Sequence, residues 1–174
     1  MAITALPFSN INFEVFHDSN RLVGVAEVSL PDIEMMNVDT SGAGIAGKFS
    51  APVMGFVDSL EMELTWRTIV SDLSIFATPH AVDLILYSAM ENYNASNGQV
   101  SPQQVKIALR GFNKKMSLGS LKPAEQTETK TTLEIIQLEI KVAGAEILYF
   151  DKVNYTFRSG GTDYLAGVRT ALNI

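Results

Sequence analysis

The strongest constraint on the fold is a period-two alternation of apolar and polar side chains between residues 60 and 67. The apolar members are Leu60, Met62, Leu64 and Trp66, and the polar members between them are Glu61, Glu63, Thr65 and Arg67. Successive side chains of a β-strand point to opposite faces, so this pattern places one face in a core and the other in water. The sequence therefore predicts a half-buried strand, which requires other strands to pair with it.

Alternation of the same kind recurs along the chain. The further stretches are residues 11–17, 21–30, 104–112, 136–142 and 146–158. Asp18-Ser19-Asn20 predicts a turn that joins the first two stretches in a β-hairpin, and Ala143-Gly144-Ala145 predicts a turn that joins the last two. Strands with one buried face are typical of antiparallel sheets, so the sequence predicts such a sheet.

Two other segments follow helical spacing. Thr78-Pro79 resembles a helix start, since the Thr hydroxyl can act as a cap and Pro is tolerated at the first helical position. The apolar residues that follow would share one helix face: Val82, Ile85, Leu86, Ala89, Met90 and Tyr93. A shorter helix is predicted near the end of the sequence, with Leu165, Val168 and Leu172 on one face.

These elements together predict a mainly β fold of the α+β class. Its architecture is an antiparallel β-sandwich or barrel flanked by one main helix, with a long extended arm between early strands. A chain of 174 residues has the length of one domain, so residues 1–174 are predicted to form a single domain.

Residues 32–57, the predicted arm, combine many glycines with an unusual number of apolar side chains. The apolar members are Ile33, Met35, Met36, Ile45, Phe49, Val53, Met54 and Phe56. Structureless connections longer than about 15 residues are uncommon inside compact domains. We therefore expect either a hairpin-like arm that another chain covers, or a loop folded back on its own core.

Composition excludes several functional classes. Thirteen Lys and Arg against nineteen Asp and Glu give a net charge of −6, which argues against a basic nucleic-acid-binding module. The absence of Cys excludes disulfides, thiolate metal sites and a cysteine nucleophile. No apolar run reaches the roughly 18 residues of a membrane span, so no membrane anchor is expected. His17 and His80 lack metal-ligand spacing, so neither a metal nor another cofactor is expected.

Two patterns suggest chemistry without supporting it. Gly42-Ala43-Gly44-Ile45-Ala46-Gly47 satisfies a dinucleotide-binding motif, but Pro52 and Gly55 would interrupt the helix that such a site needs after its glycines. Glu61 and Glu63 share one strand face roughly 7 Å apart and could serve as an acid/base pair, or they could form a solvated face. With no nucleophile or cofactor motif beside them, we expect a protein that is not an enzyme.

The order and spacing of the elements resemble the major tail tube protein of contractile-tailed bacteriophages, which forms the inner tube beneath the sheath. The resemblance covers nearly the whole chain. It rests on the N-terminal hairpin, Gly42-Ala43-Gly44 before the acidic strand Leu60-Glu61-Met62-Glu63-Leu64-Thr65-Trp66, the run Ile107-Ala108-Leu109-Arg110-Gly111, and the end from Asp151-Lys152-Val153-Asn154-Tyr155 to Asn173-Ile174.

The resemblance implies a structural protein that assembles with itself. Rings of six subunits would stack into a hollow tube, each ring built on a continuous inner β-barrel, and double-stranded DNA would pass non-specifically through the lumen during ejection. Further partners implied by the resemblance are the sheath protein, the baseplate and the tail terminator. The protein would be assembled in the cytoplasm of the host bacterium and would end in the virion tail.

Two sets of site residues follow from this interpretation. Residues 32–57 are expected to be mobile in the free subunit and ordered by an adjacent one, chiefly through Met35, Met36, Phe49, Met54 and Phe56. An acidic or neutral lumen would suit a conduit, because phosphate-binding bases would retain DNA whereas mutual repulsion lets it slide. The acids expected to contribute to the lumen surface are Glu61, Glu63, Glu134 and Glu139.

Other classes of protein remain open at this point. The same fold and assembly would serve the tube of a headless contractile bactericidal particle or of a type six secretion-like apparatus. A small enzyme using a carboxylate pair would show a deep acidic pocket on a stable monomer. A β-sandwich module that binds carbohydrate or a receptor would show an exposed aromatic platform.

Overall fold

A computed structural model describes residues 5–174 and is mostly β, as predicted, with 59% of residues in strands and 6% in helices. The strands are β1 (Ala5–His17), β2 (Asn20–Arg21), β3 (Val25–Ser29), β4 (Met35–Thr40), β5 (Phe49–Val57), β6 (Glu61–Trp66), β7 (Val82–Asn94), β8 (Gln99–Ser117), β9 (Thr129–Val142), β10 (Ala145–Asp151), β11 (Thr156–Ser159) and β12 (Thr162–Asp163). The helices are α1 (Leu73–Phe76) and α2 (Ala166–Leu172). The prediction of a largely antiparallel β-protein is confirmed.

The strands form one ten-stranded antiparallel sheet and a separate two-stranded sheet. The large sheet runs β12-β11-β10-β9-β8-β7-β1-β2, and β4 and β5 form the two-stranded sheet. Strand β9 is a branch point, because its first half pairs with β6 and its second half with β10, while β8 lies along its other edge. Strand β3 extends the β6 branch, and the order stays open among residues 5–174.

The strand predicted most strongly from the sequence lies at the centre of the core. Leu60, Met62, Leu64 and Trp66 are all fully buried in a cluster that also contains Leu84 of β7 and Leu133 of β9. The Trp66 ring packs edge-on against Phe76 of α1 with centroids 5.8 Å apart, and its Nε1 donates to Thr131 Oγ1 at 3.2 Å. This alternation is confirmed as a half-buried strand.

The predicted main helix over residues 78–93 is wrong, because the segment forms strand β7. Val82, Leu84 and Leu86 are buried on one face, while the opposite face also carries apolar residues where the strand extends beyond the core. Apolar side chains on both faces together imitate helical spacing. Thr78 does not cap a helix start; its Oγ1 donates to the Ile75 carbonyl at the end of α1.

Two strand boundaries also differ from prediction. The stretch 146–158 is broken, because the Asp151 carboxylate accepts the backbone N–H groups of Val153 and Asn154, at 2.9 Å each, and turns the chain between β10 and β11. The N-terminal hairpin is short, because β2, the partner of β1 in this hairpin, consists of Asn20–Arg21, and the following strand β3 pairs with β6. Gly24, at φ +102°, redirects the chain between them.

The predicted C-terminal helix is present, but Leu172 of its predicted apolar face is exposed. Helix α2 ends at Asn173, which adopts a left-handed conformation, and its N-terminal neighbour Leu165 packs into the core. Neither α1 nor α2, the helices found between residues 5 and 174, has the length and apolar character to span a bilayer.

Candidate assembly surfaces

Strands β4 and β5 form a hairpin that hydrogen-bonds to no other strand among the described residues; we call residues 35–57 the arm. The glycine motif lies at its tip, between the strands, where Gly42, Gly44 and Gly47 all have positive φ. These glycines therefore make a turn rather than a phosphate-binding loop before a helix. Lys48 bridges the two sides of the hairpin by pairing with Asp39 at 2.8 Å.

The arm leaves most of its large apolar side chains in solvent. Those at least two-fifths exposed are Met36 47%, Val38 53%, Phe49 51%, Met54 58% and Phe56 40%. Of the five residues expected to mediate assembly, Met35 differs, because it is half-buried against the core. The alternative of a loop folded back on its own core therefore describes only the base of the arm, where Met35 and Val57 pack.

The base of the arm is held by the C-terminal part of the chain. Gly55 has φ +70°, and a Cβ built there would lie 2.6 Å from Leu165 Cγ. Next to it, the Phe56 ring contacts Tyr155 edge-on, with centroids 6.4 Å apart, and Lys152 Nζ donates to the Asp58 carbonyl at 2.8 Å. Only glycine satisfies both the backbone conformation and the close approach at residue 55.

The acids expected in the lumen all lie on one surface. In the β6–β9 pair, Glu61 stands opposite Glu134 and Glu63 opposite Thr132, and these residues point away from the buried face. After an irregularity near Ile135, Glu139 returns to the same face, opposite Ala108 of β8 and Tyr149 of β10. The structure thus brings all four glutamates to the outer face of the large sheet.

Each of these glutamates has a lysine partner on that face. Glu63 pairs with Lys130 at 2.7 Å, Glu139 with Lys141 at 2.6 Å and Glu134 with Lys152 at 3.4 Å. Glu61 pairs with Lys114, which also lies 3.9 Å from Glu134. We call these eight residues the paired face. Sequence reasoning missed Lys114, Lys130 and Lys152 because these pairs join different parts of the chain, and the register that brings Lys130 beside Glu63 cannot be read from one strand. Lys141 is two residues from Glu139 on the same strand, so that pair is local.

Hydrogen bonding shifts the pKa of several groups on the paired face. Hydrogen bonds to Glu61 and Glu63 raise the pKa of Lys114 and of Lys130, respectively. Desolvation opposes ionisation of Glu134, but hydrogen bonds from Ser59, the Leu60 N–H and Lys152 outweigh it and keep the pKa of Glu134 below its ordinary value. The ion-paired state is therefore the neutral-pH state of these residues.

Arginine pairs extend this pattern across the sheet. Arg110 donates through Nε and Nη2 to Asp83 at 2.6 and 2.7 Å, which lowers the pKa of Asp83. Arg158 pairs with Glu146 at 2.8 Å and lies over the Tyr149 ring at 4.0 Å. Bidentate pairs of this kind fix the geometry of neighbouring strands and pair the charges of the two arginines with carboxylates.

Little in the described chain supports the enzyme alternative. Glu61 and Glu63 line one open groove, but each is bound to a different lysine, so neither is held as a free acid or base. Among residues 5–174, no three His, Asp or Glu side chains converge into a group that could hold a metal ion.

Residues 10–172 match a protein-family profile described as Phage tail tube protein FII. This chain belongs to the phage tail tube protein FII family. Membership makes it a structural, non-enzymatic protein of a virion or phage-tail-like particle, as the resemblance implied. The match covers the arm, the paired face and both helices.

A solved structure shares the fold of this tail tube protein. It is the sheath/tube terminator of an extracellular contractile injection system, PVC, solved by cryo-EM in the extended state. The TM-score is 0.56 at 14% identity, over 78% of this chain and 97% of that chain. No curated protein matches the sequence.

Proposed function

We propose that this protein assembles into stacked hexameric rings that form the inner tube of a contractile phage tail, with double-stranded DNA passing through the lumen during ejection. The family supplies the role as a tail tube protein. The observation that carries the proposal is the arm, a hairpin whose apolar side chains are left in solvent by a chain that has an extensive core of its own.

The arm is the surface on which subunits meet. Contiguous exposed apolar side chains on a folded protein mark interaction sites. Met36, Phe49, Met54 and Phe56 become buried when an adjacent subunit covers them, and the arm passes from mobile in the free subunit to ordered in the tube. Met35 anchors the base of the arm to its own core throughout.

Unpaired strand edges provide a second assembly element. Among the described residues, β3 pairs with β6 alone, so the other edge of β3 is free. Strand β1 pairs with β2 at Phe16 and His17 alone, so most of that edge of β1 is also free. Free edges recruit further strands, and rotational symmetry lets copies satisfy one another until no edge remains. A hexameric ring closes these edges into a continuous inner barrel.

The paired face lines the lumen, and the tube works with the other components of the tail. Sheath protein, baseplate and tail terminator are its partners, and assembly takes place in the host cytoplasm. A face close to neutral suits a conduit, because phosphate-binding cations would retain DNA on its way through.

A second candidate function is the tube of a contractile particle that carries no genome, such as a headless bactericidal particle or a type six secretion-like apparatus. This second candidate is supported by the fold that the chain shares with a component of an extracellular contractile injection system. Electron microscopy of the native particle separates the two, since a DNA-filled head is present only on a phage.

Negative-stain electron microscopy of the purified protein tests the proposal. We expect long hollow tubes of stacked six-fold rings from the wild-type chain and only dispersed subunits from Phe49→Ser/Met54→Ser. The matched control is Leu121→Ser, which removes an apolar side chain that is 84% exposed and lies outside the arm, and it should form tubes. A folded arm variant that still makes long tubes would show that the arm is not an assembly element.

A further inference from the structure

We propose that the glutamates of the paired face mask its lysines, so that DNA in the tube meets ammonium groups already bound to carboxylates and slides without being retained. This inference rests on the proposed function and adds to it the chemical means by which the lumen avoids binding its cargo. The partner is a double-stranded polyanion.

The masking follows from the contacts. On the paired face, four carboxylates oppose four ammonium groups, and each Nζ has a carboxylate oxygen within salt-bridge distance. Lys106 and Lys115 lie on the same side of β8 without a salt bridge among the described residues, so the masking concerns the four paired lysines. Lys114 and Lys130, about half exposed, would otherwise present their charge to a passing phosphate. Both lysines are protonated at neutral pH, and the hydrogen bonds to Glu61 and Glu63 raise their pKa further, so their charge is neutralised by the partner carboxylate and not by loss of the proton.

Removing the carboxylates would make the same face bind DNA. Each cation that neutralises a phosphate releases counterions, and the logarithm of the affinity then depends on the logarithm of salt with a slope of about −0.9 per contact. Losing Glu61, Glu63 and Glu139 removes the salt-bridge partners of Lys130 and Lys141 and leaves Lys114 with only its 3.9 Å contact to Glu134. The effect is repeated in every subunit of a ring. Exposed ion pairs contribute little to folding, so variants that lose them should remain folded.

The test uses tubes assembled from Glu61→Gln/Glu63→Gln/Glu139→Gln. Glu134 is left in place because it also accepts hydrogen bonds from Ser59 Oγ and the Leu60 N–H. The matched control carries the same three glutamate substitutions together with Lys114→Gln, Lys130→Gln and Lys141→Gln. It removes the same ion pairs without leaving a lysine unpaired by the substitution. Tubes are incubated with short linear duplex DNA or with a closed circular plasmid at rising salt, and the DNA that sediments with them is measured.

We expect the triple-glutamine tubes to retain linear DNA about tenfold or more above wild type at low salt, with the excess lost as salt rises. Wild-type and control tubes should retain little, and circular DNA, which cannot thread a lumen, should not be retained by any of them. Equal retention of linear DNA by the variant and wild type would overturn masking. Equal capture of circular and linear DNA would place the paired face on the outside and overturn the inference.

The outcome can be separated from failure of the proposed function. If a variant does not form tubes, the affinity of its free subunits for a fluorescent duplex decides the matter, because the face is then open to solution. Tighter, salt-sensitive binding by the triple-glutamine subunits than by wild type and the control supports masking, and equal affinity overturns it. Wild-type tubes that form while masking fails leave the proposed function intact.

Discussion

The arm and strand β6 lie next to each other in the chain and are both rich in apolar residues, yet the apolar side chains of β6 are buried and most of those of the arm are exposed. Met62, Leu64 and Trp66 of β6 are fully buried, whereas Phe49 and Met54 of the arm are more than half exposed. The difference lies in the strands with which each segment pairs and in the core against which it packs. Strand β6 pairs with β3 and β9 and packs on a shared core, while the two strands of the arm pair with each other and with no further strand between residues 5 and 174.

Apolar content alone therefore does not identify the core of this subunit. The apolar residues of β6 stabilise the fold of one chain, whereas we propose that those of the arm are covered by a second chain. Substitutions in the two regions should separate the two roles, with stability responding in one and assembly in the other.

The largest expected effect on stability is at Trp66. Trp66→Ala removes a fully buried ring from the Phe76 contact and from the hydrogen bond to Thr131, and should lower the free energy of unfolding by about 3–5 kcal/mol. Urea unfolding of the free subunit measures it. A decrease in the free energy of unfolding of less than about 1 kcal/mol would mean that this part of the core contributes little to the stability of the fold.

A smaller loss is expected at Gly55, where the arm meets the body. Gly55→Ala places a Cβ against Leu165 at positive φ and should cost about 1–3 kcal/mol. The cost should shrink in a Leu165→Ala background, because the side chain that obstructs the Cβ is gone. Equal costs in both backgrounds, measured by urea unfolding, would show that Leu165 does not set the position of the arm.

In the arm itself, Phe49→Ala should change the free energy of unfolding by no more than about 0.5 kcal/mol. The ring is half exposed and has no core to leave. Urea unfolding of Phe49→Ala and of Trp66→Ala under the same conditions compares the two regions directly. A loss like that of the tryptophan variant would show that the arm packs on its own subunit in solution.

The smallest expected effect is a change in acid sensitivity at Glu134. Its folded pKa lies below the ordinary 4.5, so its contribution to stability is present above that pH and is lost as pH falls through the folded pKa. Glu134→Gln should therefore flatten the decline in unfolding free energy below about pH 4.5. The control is Glu125→Gln in the loop before β9, and identical profiles for wild type and Glu134→Gln would contradict the expectation.

Sequence reasoning succeeded where one face of a strand is fully buried. The alternation in β6 and in Val105, Ile107 and Leu109 of β8 is clear because the core imposes it along the whole segment. It failed in β7, which begins in the core at Val82 and runs beyond it, so that burial no longer alternates. The turn at Asp151 was missed because its signal is a side-chain hydrogen bond and not a glycine or proline.

The arm and the paired face could be predicted from the sequence to different extents. The apolar residues of the arm stand out in the sequence because nothing around them suggests a core. The common face of Glu61 and Glu63 follows from their spacing, but the lysines that neutralise them come from β8 and β9, at separations fixed only by strand register. Glu139 reaches the same face only because of the irregularity near Ile135 in β9.

A high-resolution cryo-EM map of the tube assembled from the wild-type chain tests the central claim most directly. We predict that the side chains of Phe49 and Met54 lie within about 4.5 Å of apolar atoms of an adjacent subunit in every copy. A tube in which the arms project into solvent, with those side chains as exposed as in the single chain, would contradict the account.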